Sequence, residues 1–287
     1  MAAMTNAPDL TAFQPWLERR ETASELLSAV PAQGLAATLN LSAASVPAHT
    51  LPPLWHWLHF LDRTPSSQLA DDGSPRTRAL LPPIALDQIM WAGSEVEFVR
   101  PLRLDEPASR HSRILDMTGK NGSRGPMVFL TTEHRVEQHG EVAIVELNRA
   151  VFLGAAAPAP VAATVAKRPT ERERAWQVDE SVLFRFSALT FNSHRIHYDL
   201  RYTTQVGGYP GLVVHGPLQA ILLAETFREW FPNAVVSRIE FRAKGPLYNG
   251  EPVVVGGAAR GRGQYALWTV SPRAECAMEC VVTHTGA

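Results

Sequence analysis

The sequence predicts an α+β fold in two matching halves, each an antiparallel sheet wrapped around a central helix. Three observations predict it. Short runs of apolar residues, alternating with polar ones and bounded by turn signals, fill 95–153 and recur over 235–284. An apolar helix candidate precedes each run, Ile84 to Trp91 and Leu218 to Trp230. A string also recurs at an offset of about 145 residues. Val96-Glu97-Phe98, Pro101-Leu102 and Glu106-Pro107 answer to Ile239-Glu240-Phe241, Pro246-Leu247 and Glu251-Pro252.

The elements follow in order. Residues 11–45 read as helical, because Phe13, Trp16, Leu17, Arg20, Leu26, Leu27 and Val30 recur at helical spacing behind a Thr11 cap. Leu54 to Phe60 is a short apolar piece that reads as packing, and His56 and His59 in it have no partner residues that would make them ligands. Thr64 to Arg78 reads as a surface loop. Strands are expected over Glu95–Arg100, Ser109–Leu115, Met127–Val136 and Val142–Leu147, with turns at Gly119–Gly125 and His139-Gly140. Ala, Pro, Val and Thr dominate 154–170, a linker composition. The boundaries are therefore an N-terminal half at 1–153, a linker at 154–170 and a C-terminal half at 171–287. After the linker, Pro217 opens a helix that runs to Trp230, since its missing N–H costs nothing in a first turn. Strands then follow at Val235–Phe241, Glu251–Gly256, Tyr265–Val270 and Cys276–His284. One helix followed by about four antiparallel strands, written twice, is the double hot-dog plan.

Bulk properties narrow the function. Among 287 residues, 45 % are apolar and 19 % charged, with a formal net charge of −1. That balance gives no sign of a nucleic-acid or membrane-surface partner. No run of apolar residues is long enough to cross a bilayer, and the N-terminus has no signal-peptide pattern. A cytoplasmic protein is expected, or one of the mitochondrial matrix in a eukaryote. Cys276 and Cys280 are expected to be reduced core thiols.

The chemistry-bearing stretch is Phe186-Ser-Ala-Leu-Thr-Phe-Asn192-Ser-His194-Arg195-Ile-His197-Tyr198-Asp199. About one loop later comes His215-Gly216-Pro217-Leu218. Histidine exchanges a proton near neutral pH, and a helix N-terminus offers N–H donors to developing negative charge. A metal site from His194, His197 and Asp199 is conceivable by residue type but is not needed.

These residues resemble the hydratase-2 or MaoC-like family of acyl-thioester hydratases. Its motif is Asp-x-Asn-Pro-x-His, followed by His-Gly-x-Leu at the start of the central helix. His197 falls on the family's catalytic His, and His215 to Leu218 match the second motif. Asn192 and His194 replace the family's Asp and Asn, and Arg195 replaces Pro. The wording looks like the branch of type 2 hydroxyacyl-thioester dehydratases and of mesaconyl-C4-CoA or itaconyl-CoA hydratases. The resemblance implies a hydro-lyase acting on a short α,β-unsaturated acyl-CoA, with coenzyme A arriving in the substrate and no other cofactor. It implies His197 as acid and base, Asn192 orienting water, His194 assisting and the Gly216 N–H stabilising an enolate-like oxygen. Gly216, lacking a Cβ, is expected to let the thioester approach closely. Arg195, Arg185 and Arg201 are candidates for a carboxylate on the acyl chain, and His215 for substrate contact. Arg242 and Lys244 are candidates for coenzyme A phosphates. Asp199 reads as a cap or a partner of Arg201.

The N-terminal half has no His-rich counterpart and is expected to shape the acyl pocket without catalysing. A homodimer is a candidate assembly. The rivals are a 3-hydroxyacyl dehydratase of fatty-acid metabolism, a thioesterase on the same fold, and a hot-dog module that binds acyl thioesters without turnover. A thioesterase would want a carboxylate base, which Asn192 does not supply.

Overall fold

The computed structural model describes residues 8–42, 46–86, 88–122, 125–154, 170–271 and 276–286. Ten strands form one continuous sheet in the order β1-β3-β4-β5-β2-β7-β10-β9-β8-β6. The first five are β1 (Arg20–Leu26), β2 (Gln88–Phe98), β3 (Pro107–Gly122), β4 (Gly125–Gln138) and β5 (Glu141–Leu153). The second five are β6 (Arg172–Trp176), β7 (Val235–Ala243), β8 (Val253–Gly261), β9 (Gln264–Val270) and β10 (Cys276–Thr285). The helices are α1 (Ala29–Thr38), α2 (Glu180–Leu189), α3 (Leu200–Gln205) and α4 (Gly216–Trp230).

The sheet order is the same on both sides of its middle, so the two halves repeat one plan. They meet where β2 pairs antiparallel with β7, and Val96 faces Ile239. Those are the equivalent residues of the repeated string, so a pseudo-twofold axis passes between them. The axis sets Glu95 opposite Glu240, a repulsive pair by itself. Arg238 offsets it, reaching Glu95 at 2.9 Å and Glu240 at 3.6 Å, and Arg149 reaches Glu95 at 3.3 Å.

The double hot-dog class is borne out, and α4 is the wrapped helix of the second half. Leu218 to Phe227 are all buried in it. Its few polar residues are bonded, as burial requires. Thr226 Oγ1 accepts from Trp176 Nε1 at 2.9 Å, and Glu225 Oε1 accepts from Trp55 Nε1 at 2.9 Å. The last bond ties the second half's helix to the first half.

The N-terminal half departs from expectation. Residues 11–45 are not one helix but a 3₁₀ turn at Thr11–Glu18, strand β1 and helix α1. Helical spacing misled because Leu26 and Val30 are exposed, at 57 % and 69 %, and so do not mark a buried face. Ser28 ends the strand and caps α1, its Oγ accepting from Val30 N. Nor is Ile84 to Trp91 a helix. It is irregular up to residue 86 and belongs to β2 from Gln88, where pairing with β5 on one side and β7 on the other overrides local pattern. The turn expected over Gly119–Gly125 is tighter, because β3 runs to Gly122 and β4 starts at Gly125. The linker expected at 154–170 lies almost wholly outside the described residues. Both cysteines are buried free thiols, and burial pushes the Cys280 thiol up.

His56 and His59 each pair with one carboxylate. His59 Nδ1 lies 2.8 Å from Glu25 and His56 Nε2 lies 3.1 Å from Glu146. Glu146 also accepts from Trp57 Nε1 at 3.0 Å and from Ser94 Oγ at 3.0 Å. Burial alone would raise its pKa, but these bonds and the nearby imidazoles outweigh burial and hold it down to about 2. Beside it, directly opposite on β4, His134 is held neutral by burial, its pKa lowered to about 4. Among the described residues, no helix is long and apolar enough to cross a membrane.

Glu146→Ala should strand three buried donors and cost about 3–5 kcal/mol, the scale for breaking a buried charged network. Urea denaturation checks this; a loss below about 1 kcal/mol would show that the network relaxes without its carboxylate.

Candidate active site

The motif residues fold into a tight hook between α2 and α4. Helix α2, capped by Asp179, ends at Leu189, and Phe191 takes a left-handed φ of 50°. That turn reverses the chain. Asn192 N then donates to Ser187 O at 2.8 Å, and Asn192 Oδ1 accepts from His194 N at 3.0 Å. Asn192 is thus an Asx turn whose oxygen is committed to the backbone, while its amide nitrogen is the donor it can offer to water. Arg195 to His197 form one 3₁₀ turn, and Asp199 caps α3 by accepting from Tyr202 N at 2.9 Å.

His197 is buried, and Val213 holds its orientation. His197 Nδ1 lies 2.8 Å from the Val213 carbonyl oxygen. A carbonyl only accepts, so Nδ1 carries the hydrogen and Nε2 keeps its lone pair. Val213 N donates in turn to Ile196 O at 2.9 Å, so the two segments lock each other. Burial lowers the His197 pKa to about 4, against the Val213 bond that favours charge and with His194 adding repulsion. The ring is therefore neutral at ordinary pH.

His215 precedes α4 and stacks on His197 with centroids 3.7 Å apart and planes 17° from parallel. Its Nε2 lies 2.9 Å from Ser187 Oγ, and burial pushes its pKa well below the usual imidazole range. The stack seats the His197 ring at the opening of α4, where Gly216 is the first helical residue. First-turn N–H groups have no partner within a helix. His194 completes the group, edge-on to His197 at 5.6 Å.

The reason for glycine at 216 differs from expectation. A Cβ there would lie 2.6 Å from Trp91 Cε3. The space belongs to the indole from β2 of the N-terminal half, not to open approach. Trp91 packs in turn against Trp57 and Phe241.

The three arginines offered for the acyl chain are paired elsewhere or exposed. Arg195 binds Asp199 Oδ2 through Nε at 3.1 Å and Nη2 at 2.7 Å, and donates to Asp71 O at 3.0 Å. Asp199 is therefore partnered by Arg195 rather than Arg201. Arg201 is exposed and donates to Gln205 at 3.2 Å. Arg185 is on the exposed face of α2. His215 alone joins the cluster. Arg242 lies 3.5 Å from Glu240 and Lys244 lies 3.1 Å from Glu279. Among the described residues no group of three or more His, Cys, Asp or Glu is suited to hold a metal.

Sequence reading missed Val213, Ser187 and the loop at Asp71–Ser74. Val213 and Ser187 act through a carbonyl and a hydroxyl that carry no motif. The Asp-Asp-Gly-Ser string announces a turn, but nothing in it says where the turn docks.

Comparison with known proteins bears on the family and the fold. A family model described as hydroxyacyl-thioester dehydratase type 2 matches residues 54–249. The chain is 41 % identical over 243 residues to a mesaconyl-C(4)-CoA hydratase of Chloroflexus aurantiacus, covering 84 % of this chain and 86 % of that one. It is 27 % identical over 260 residues to the mitochondrial hydroxyacyl-thioester dehydratase type 2 of Schizosaccharomyces pombe, covering 80 % and 87 %. Among solved structures, a MaoC-like dehydratase from Phytophthora capsici aligns with a TM-score of 0.69 at 14 % identity, covering 94 % of this chain and 96 % of that one. A Mycobacterium tuberculosis protein described as a double hot-dog aligns at 0.56 with 14 % identity, covering 93 % and 96 %.

Burial of His197 has a consequence for stability. The unfolded imidazole protonates near 6.5 and the folded one near 4. Between those values the unfolded chain binds more protons, so stability falls as pH falls, by up to about 1.4 kcal/mol per pH unit for one such group. His197→Gln should remove about one proton's worth of that slope between about pH 6.5 and about pH 4. Urea titrations across the window check it; an unchanged slope would mean that the ring charges in place.

Proposed function

The chain belongs to the type 2 hydroxyacyl-thioester dehydratase family, and from that premise we propose that it hydrates a short dicarboxylic enoyl-CoA of the mesaconyl-C4-CoA or itaconyl-CoA kind. It is a hydro-lyase, so the chemistry is addition or removal of water across an α,β double bond. The observation that carries the reading is the Val213 carbonyl on His197 Nδ1, which leaves Nε2 as a lone-pair base.

In the hydration direction, His197 Nε2 takes a proton from water as the oxygen bonds to the β-carbon. The π electrons move toward the thioester carbonyl, and negative charge collects on its oxygen. The Gly216 N–H, at the positive end of α4, donates to that oxygen. The imidazolium then returns its proton to the α-carbon, and the carbonyl re-forms. Atoms and charges balance with no other reactant. Asn192 steers the water through its amide nitrogen, and His194 and His215 flank the working ring. The reading asks for no metal or redox cofactor, since coenzyme A comes with the substrate. Trp91 and Trp57 make the N-terminal half the wall of the acyl pocket. The assignment of a non-catalytic N-terminal half, a cytoplasmic location and a homodimer accompanies this reading.

Of the cationic groups, Arg195 is nearest in sequence to the base, and it engages an acyl carboxylate by exchanging Asp199 for it. Arg185 and Arg201, both exposed, are the alternates, and His215 contacts substrate only through its edge.

Loss of the enoyl-thioester chromophore, followed with mesaconyl-C4-, itaconyl- and crotonyl-CoA, tests the function. The dicarboxylic thioesters should turn over fastest; faster turnover of longer uncharged chains would favour the fatty-acid dehydratase, and no turnover at all the binding module. His197→Ala should slow turnover roughly 10²–10⁴-fold. Arg195→Ala should harm the dicarboxylic substrates more than crotonyl-CoA. Equal losses would assign Arg195 to holding Asp199 and the Asp71 carbonyl.

A further inference from the structure

The family motif places a carboxylate where this chain has Asn192, yet a carboxylate does stand beside the imidazoles. It comes from the other half. The loop between Ser66 and Arg78 lays its Asp71–Ser74 tip directly on the motif. Arg195 N donates to Asp72 O at 2.7 Å, and Ser193 Oγ donates to Gly73 O at 2.6 Å. Arg195 Nη1 reaches Asp71 O at 3.0 Å. Gly73 has a φ of 83°, and a Cβ on it would lie 2.0 Å from Ser193 O. Only glycine fits so close a contact in that conformation. The tip is therefore built to sit on 193–195.

The side chain of Asp72 is fixed as well. Its Oδ1 accepts from Ser74 N at 2.8 Å and from Ser74 Oγ at 2.6 Å. Its Oδ2 is aimed at His194 Nε2, 3.7 Å away. His194 stands edge-on to His197. The order is carboxylate, imidazole, imidazole, with the Val213 carbonyl at the far end.

We infer that Asp72 is a positioning residue of the active site, holding His194 against His197 and supplying across the two halves the negative charge that residue 192 lacks. This rests on the reading of His197 as the base. When His197 takes a proton, a cation forms between two other imidazoles in a buried site. Like charge nearby opposes that step, and a carboxylate favours it. The groups facing His194 are Asp72, which favours its charged form, and Arg78 and His197, which oppose it; His215 lies behind His197. The Asp199 carboxylate is engaged by Arg195. Asp72 is the carboxylate that faces His194.

Asp72→Asn tests the charge alone, because an amide oxygen still accepts from Ser74 and keeps the turn. With mesaconyl-C4-CoA as probe, kcat should fall roughly ten- to a hundredfold while KM stays within about threefold. The acidic limb of kcat/KM should move to lower pH by about half a unit to one unit, because losing the negative charge lowers the pKa of the base. Asp72→Asn combined with Asn192→Asp should recover at least about fivefold in kcat, since an Asp at 192 still accepts from His194 N while restoring a carboxylate. An unchanged kcat overturns the inference. So does a lower kcat with an unmoved acidic limb, or a double variant no better than the single one. His197→Ala is measured alongside. If it turns over near the parent rate, the reading of the base falls, whatever Asp72 does. If it is inactive while Asp72→Asn behaves like the parent, only the role of Asp72 falls.

Discussion

A single hydrogen bond sets the terms for the site: the Val213 carbonyl on His197 Nδ1. It decides which ring nitrogen carries the hydrogen, and so which one can accept a proton from water. It also decides where the ring sits, because Val213 belongs to the segment that enters α4. Burial then strips the ring of its charge. A base with a pKa of about 4 is weak in bulk water, but it is reliably unprotonated, and a dry site strengthens each dipole aimed at the reacting atoms. The neighbouring His215 and His194 reinforce this condition, each opposing a charge on the other rings.

The two halves share one strand plan but not one helical content. The C-terminal half holds a full wrapped helix and the imidazoles. The N-terminal half, among its described residues, has only the ten-residue α1 and short 3₁₀ turns between β1 and β2. One of those turns carries Trp55 and Trp57, and the charged network around Glu146 forms beside it. Those indoles do not stay at home. Trp55 bonds to Glu225 of α4, and Trp57 backs Trp91 where it fills the place of a side chain at Gly216. The N-terminal half thus packs against α4 at Gly216 and at Glu225.

Much of this was legible in the residues. The repeated Val-Glu-Phe and Ile-Glu-Phe strings announced the duplication, and their pairing at the sheet's centre follows from it. His197 and the Gly216-led helix were legible because proton transfer and oxyanion support each demand a recognisable type in a recognisable place. What stayed hidden has a common cause. Val213 works through its carbonyl, which every residue has. Trp91 looked like the end of an apolar helix, because pairing on both edges of β2 is a tertiary fact that local spacing does not carry. Arg195 looked unpaired, but four residues on, Asp199 folds back to pair with it. The pairing of His56 with Glu146 and of His59 with Glu25 stayed hidden because the partners are distant in sequence.

The contact of the Asp71–Ser74 tip with 193–195 spans about 120 residues of chain. Contacts of that range close late in folding, after local structure has formed. A chain emerging from the ribosome would own its whole repertoire of histidines before it owned a working catalyst. A lesion on the tip of that loop, remote in sequence from the motif it touches, would weaken the site while leaving each separate part well formed.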